Sequence, residues 1–235
     1  MLLIAPLPWA AEKSVLSQAE QIREEIVVTA DRNAQPLRHT GNSISVISKE
    51  QIENRGFDFA PEAMRQIPGL SVNQSGPIGS ATQVRIRGAE ANHTLVLIDG
   101  FNANDPAIGS EFNFADLTTF DVDQIEVVRG SQTALYGSDT IGGVINLITS
   151  TPDKTGFSGK ASVAAGNNQS GLYLLNLNSK GERHYVLANF SKYNTNGTNS
   201  SLMGSEEDGY ENQTELLKFG FELTQELTAT LQARR

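Results

Sequence analysis

The chain has 235 residues, 38% of them hydrophobic, with a formal net charge of −9 and no cysteine. That acidic balance excludes binding through a nucleic-acid backbone, which needs clustered Lys and Arg. The missing cysteine excludes a disulfide framework, a thiolate zinc site and a cysteine nucleophile, while the length allows one large domain or two modest ones.

The opening MLLIAPLPWAAEK is a short apolar run ending in small residues, without a basic leader. Residues 1–11 therefore read as a signal-peptide remnant, with a cut near Ala10 or Ala11. Residues 12–40 are polar and read as a tether. One stretch interrupts it: Glu24, Glu25, Ile26, Val27, Val28, Thr29 and Ala30. Its β-branched centre favours extended backbone, yet polar sequence flanks it on both sides. It reads as a strand without a sheet of its own.

From 41 to 152 short strands alternate with short helices. SISVIS (43–48) alternates like a strand. SKEQIENRG (48–56) carries a Ser cap, an early Gln and a closing Gly, which predicts a helix. APEAMRQIPG (60–69) starts with a helix-compatible Pro61 and stops at Pro68 and Gly69. LSVNQS, QVRIRG, HTLVLIDG, DQIEVVRG and GGVINLIT follow, all β-rich and mostly closed by glycine. Two short helices among so many strands predict an α+β domain rather than a doubly wound sheet. Arg87, Glu126 and Arg129 place charge at or near strand ends, as if the sheet sat against something polar.

Beyond Pro152 the texture changes to longer alternating strands, about five of them. Leu217, Phe219, Phe221 and Leu223 share one face, with Lys218, Gly220 and Glu222 on the other. Leu227, Ala229, Leu231 and Ala233 oppose Thr228, Thr230, Gln232 and Arg234. A turn is expected at Lys180, Gly181 and Glu182, and a polar loop over NTNGTNSSLMGSEEDGYENQ. Segments of ~10 alternating residues joined by short turns and longer polar loops mark transmembrane β-barrel strands. A soluble antiparallel sheet with one wet face alternates in the same way, so alternation alone leaves both open. A barrel ending at Arg235 would leave an open edge in lipid, so the barrel reading makes this chain a fragment.

No enzyme signature is present: there is no GxGxxG, HExxH or GxSxG, and His39, His93 and His184 lack ligand spacing. The chain is read as not an enzyme. Asp121 and Asp123 in FDVDQIE read as solvated turn carboxylates. Glu206, Glu207 and Asp208 form an acidic cluster in the longest polar loop, the oxygen-rich kind of segment that suits Ca²⁺. No other cofactor is required.

The series IRG at 86–88, VLIDG at 96–100, IEVVRG at 125–130 and LYGSDTIGGVINLIT at 135–149 resembles the plug of TonB-dependent outer-membrane receptors. EEIVVTA at 24–30 looks like the family's TonB box, and the wording around 87–100 and 136–149 is similar to that of vitamin B12 (cobalamin) receptors. The resemblance implies an α+β plug domain over 41–152, followed from 153 to 235 by the first antiparallel strands of a transmembrane barrel. The complete family barrel has about 22 strands. It also implies TonB as partner at the box, outer-membrane lipid around the strands, and cobalamin or a ferric siderophore as solute. The place is then the outer membrane of a Gram-negative bacterium. Arg87 and Arg129 hold the positions of family arginines that face barrel glutamates. Asn92, Asn102, Asn104 and Glu111, in outward plug loops, become the substrate-binding candidates. The competing reading is a soluble secreted β-rich binding or adhesin protein.

Overall fold

The computed structural model describes residues 27–28, 35–36, 41–201, 204–224 and 227–235. The proposed signal remnant at 1–11 lies outside the described residues. So do most of the tether and five of the seven box residues. What is described there is a two-residue antiparallel pair, β1 (Val27–Val28) with β2 (Gln35–Pro36).

Local chemistry builds the first helix. Ser48 ends strand β3 (Ser43–Ser48) and caps α1 (Lys49–Arg55). Its Oγ accepts from Gln51 N at 3.4 Å, while Ser48 N donates back to Gln51 Oε1 at 3.1 Å. This is a reciprocal capping box. Gly56, left-handed at φ 65°, closes the helix and Ile52 turns inward. In α2 (Ala60–Met64) the Glu62 carboxylate accepts from Asp58 N and Phe59 N, and Ala60, Ala63 and Met64 are buried.

A hairpin of β4 (Leu70–Gln74) and β5 (Thr82–Ile86) stands beside the main sheet. That sheet has the order β3-β8-β9-β6-β7, from β6 (Thr94–Ile98), β7 (Phe101–Asn102), β8 (Val122–Arg129) and β9 (Gly143–Thr149). Only β6 and β9 run parallel. Ile47, Met64, Ile86, Ile125, Val127 and Ile145 form the core on one face, and Leu95, Leu97, Val128 and Val144 a smaller one. Burying each such side chain contributes about 1.5–3 kcal/mol. A third short helix, α3 (Thr133–Tyr136), lies between β8 and β9. Its four residues have no side-chain cap, so sequence punctuation does not reveal it.

Gly143 opens β9 at φ 150°, where a Cβ would collide with the Val128 carbonyl oxygen of the neighbouring strand. Both the backbone angle and the close approach require glycine. Gly143→Ala should cost roughly 2–3 kcal/mol, read as a lower denaturation midpoint of the full-length protein. An unchanged midpoint would contradict this placement.

The last five strands form a separate antiparallel sheet of consecutive hairpins: β10 (Gly156–Ala165), β11 (Gly171–Lys180), β12 (His184–Thr195), β13 (Tyr210–Glu222) and β14 (Thr228–Arg234). Its two edge strands do not pair with one another, so the sheet is not closed. The predicted alternation is realised across strands. Leu175 faces Phe190, Val186 faces Phe219, and Phe219 faces Leu231, all on the face turned away from the α+β domain. The opposite face carries Lys160, Asn176, Asn189, Ser191, Lys218 and Arg234. No helix among the described residues is long and apolar enough to cross a membrane.

The structure departs from the sequence reading in the last loop and at three carboxylates. The loop between β12 and β13 runs only from 196 to 209, because the Thr195–Tyr210 pairing continues into the polar sequence. Asp121 is not a solvated turn carboxylate: it is 2% exposed and paired with Arg234. Asp123 is braced as well, accepting from Lys49 Nζ at 2.7 Å and Ser150 Oγ at 2.9 Å. Glu126 lies mid-strand in β8 and is fully buried rather than at a strand end.

Candidate functional site

The α+β domain is fastened to the five-stranded sheet along β13 and β14. Lys218 points inward from the middle of β13 and is 6% exposed. Its Nζ lies 3.3 Å from Asp99 Oδ2 and donates to Thr149 Oγ1 at 2.8 Å. Asp99, at φ 50°, turns the chain after β6. Its carboxylate also accepts from Thr149 N at 2.8 Å, clamping the end of β9. Nearby, Arg234 Nε donates to Asp121 Oδ2 at 2.8 Å. Tyr210 OH donates to Asp116 Oδ1 at 2.8 Å, and Asn212 Nδ2 to the Asp116 carbonyl at 3.1 Å. The rings of Phe59 and Tyr193 meet edge-on at 5.4 Å. Period-two alternation puts Lys218 and Arg234 on the inner face, but nothing in the sequence names their partners.

At the end of the sheet that carries the 196–209 loop, three segments come together. The β4–β5 hairpin touches the Tyr210 ring at Gly79, and Gln83 Nε2 donates to Glu111 Oε2 at 2.6 Å. Of the substrate candidates, Asn102 is exposed, with Oδ1 accepting from Asn104 N at 2.9 Å. Asn104 is used internally. Its Oδ1 accepts from Val96 N at 2.7 Å, and its Nδ2 donates to the Thr94 and Ser110 carbonyls at 3.0 and 2.8 Å. It braces the loop with both amide N–H groups and one of the two lone pairs of Oδ1. Asn92 sits in the 3-10 turn before β6, its Oδ1 buried without a hydrogen-bond partner among the described residues. The structure thus brings Asn102, Asn104 and Glu111 onto one loop and leaves Asn92 outside it.

Arg87 and Arg129 converge on Gly69, whose Cβ position would touch both side chains. Arg129 Nη1 donates to the Pro68 carbonyl at 2.8 Å and its Nε to Ser43 Oγ at 3.2 Å. Neither arginine has an ion-pair partner among the described residues.

The acidic loop does not gather its carboxylates. Asp208 Oδ2 accepts from Ser200 N at 2.8 Å and Ser200 Oγ at 2.6 Å, and these bonds hold its carboxyl below the usual range. Glu206 folds back towards Gly204. Among the described residues no group of three His, Asp or Glu side chains is arranged to hold a metal. Asp58, on the plug side, is held above the usual carboxylate range by burial and then by the Glu62 charge.

Comparison with known proteins matches this architecture. Residues 36–144 match the TonB-dependent Receptor Plug Domain. The chain is 37% identical over 176 residues to the Vitamin B12 transporter BtuB of Photobacterium profundum, covering 74% of this chain and 28% of that protein. It is 39% identical over 139 residues to that of Vibrio vulnificus, covering 59% and 23%. It thus spans about a quarter of the length of these curated relatives. The pyoverdine outer membrane receptor FpvA from Pseudomonas aeruginosa PAO1 superposes with a TM-score of 0.73, at 20% identity over 88% of this chain and 29% of that one. The siderophore receptor PiuA from Acinetobacter baumannii gives 0.67, at 27% identity over 84% and 26%. Those likenesses identify the open sheet as the first strands of a barrel wall whose polar face looks onto the plug. The chain belongs to the TonB-dependent receptors, as their plug domain followed by the first strands of their β-barrel.

Proposed function

We propose that the full-length protein is an outer-membrane receptor of a Gram-negative bacterium for TonB-driven uptake of cobalamin. The observation that carries this reading is the 37% identity to a vitamin B12 transporter across both the plug and the wall strands. Solute binds the outer face beside the 102–111 loop and the β4–β5 hairpin. TonB then takes residues 24–30 as an added strand, since their β-branched sequence favours extended backbone and an edge strand accepts a further partner. Force on that segment remodels the plug, and no covalent step is needed.

A ferric siderophore is the second reading, favoured by the solved receptors of like fold. A soluble adhesin is disfavoured, because the outer face of the wall exposes Phe157, Val163, Tyr173, Leu217, Phe219 and Leu231 together. Equilibrium binding of radiolabelled cobalamin to the full-length receptor, beside a panel of ferric siderophores, tests the assignment. Saturable cobalamin binding is expected, and binding of a siderophore alone would overturn it.

A further inference from the structure

The plug meets its wall unevenly. Asp99, Asp116 and Asp121 fasten it to β13 and β14. Beside β10, β11 and β12 the contacts are sparser, an exposed Lys160–Glu53 ion pair at 3.7 Å and the Phe59–Tyr193 ring contact, and they border a cavity of about 400 Å³. The wall of that cavity carries a chain of amides. Ser158 Oγ donates to Asn178 Oδ1 at 2.7 Å, Asn178 Nδ2 donates to Asn176 Oδ1 at 2.9 Å, and Asn176 Nδ2 donates to Asn189 Oδ1. The chain ends on Asn189 Nδ2, a buried donor with no hydrogen-bond partner among the described residues. From the plug side Asp121, 2% exposed and paired through Oδ2 with Arg234, lines the same cavity, and its Oδ1 is a buried acceptor with no hydrogen-bond partner among the described residues.

An orphan donor on the wall and an orphan acceptor on the plug call for a guest with both functions. Charge narrows the guest further. Glu53, Asp58, Asp121 and Asp153 line the space against only Lys49 and Lys160, so an anion is disfavoured. We propose that this cavity is an inner subsite for an uncharged solute bearing amide or hydroxyl groups, which accept from Asn189 Nδ2 and donate to Asp121 Oδ1. The proposal rests on the transport reading and places the solute's inward route along β10–β12, where an exposed ion pair and a ring contact stand in place of the buried pairs at β13 and β14. A corrinoid ringed by primary amides fits that chemistry. The cavity admits its side groups first, and the remainder follows as the plug shifts.

The test uses the full-length receptor in cells with active TonB, carrying Ser191→Cys on the cavity wall, which leaves Asn189 and Asp121 in place. This chain holds no other cysteine. A small uncharged maleimide reports access to the cavity, with cyanocobalamin and an uncharged ferric hydroxamate as the probes. Solute present during energised transport should slow labelling roughly tenfold, and Asn189→Leu should keep outer-face binding while slowing uptake by a similar factor. Ser162→Cys, also on the cavity wall, serves as reporter if the first variant does not assemble. Labelling unaffected by either solute, or wild-type uptake by Asn189→Leu, would overturn the subsite. Protection by the hydroxamate in a receptor that does not bind cobalamin would overturn the cobalamin assignment and sustain the subsite.

Discussion

Lys218→Met is expected to loosen the plug from its wall more than any other single side-chain change. It removes the cation from a pair whose side chains are 6% and 13% exposed, leaving Asp99 as a shielded carboxylate without its counter-charge. Breaking a buried pair on one side costs about 3–5 kcal/mol, and the two bonds from Thr149 that still hold Asp99 put this case at the lower end. Adding Asp99→Asn should recover most of that loss. An uncharged amide has no desolvation penalty of that size. Asn also tolerates the left-handed angle of 50°, and its Oδ1 can keep the bond from Thr149 N. The comparison is a urea titration of the full-length receptor in detergent, read by protease access to the plug. Equal midpoints for the single and the double variant would show that the pair does not hold the plug.

The parts legible in the sequence are those whose causes are local. Ser48, Gln51 and Gly56 write the beginning and end of α1 within nine residues. The Leu217, Phe219 and Phe221 alternation names its own face, because side chains in a strand must alternate. Asp121 is not legible, since its partner, Arg234, is 113 residues away, and an Asp ahead of a strand looks the same solvated or buried. Lys218 shows the intermediate case: periodicity gives its direction, while Asp99 and Thr149 are joined to it only by the docking of two sheets. Asn104 illustrates why loop amides are ambiguous. The same three polar functions that suit a ligand also suit the Val96, Thr94 and Ser110 backbone. The loop after β12 is shorter than its polar sequence because backbone pairing does not stop where apolar side chains do.

The box has the reverse character: its sequence is expressive, and its described structure is small. Val27 and Val28 pair with Pro36 and Gln35 inside their own tether. Such a two-residue ladder is weak, and Pro36 supplies no N–H to it. A partner offering a longer strand would displace it at little cost. Val27 and Val28 are thus not without a sheet, since they have a short partner strand in their own tether. Val28→Pro removes a backbone donor from the middle of the box and disfavours its pairing as an added strand. The substitution lies far in sequence from the 102–111 loop and the β4–β5 hairpin, the proposed place of solute binding.

The most direct measurement therefore sets binding against uptake in one strain. Cells expressing the full-length receptor with Val28→Pro are given radiolabelled cobalamin. Surface binding should equal that of the unaltered receptor, while accumulation should fall to the level of cells without TonB. Accumulation at the unaltered rate would contradict the account.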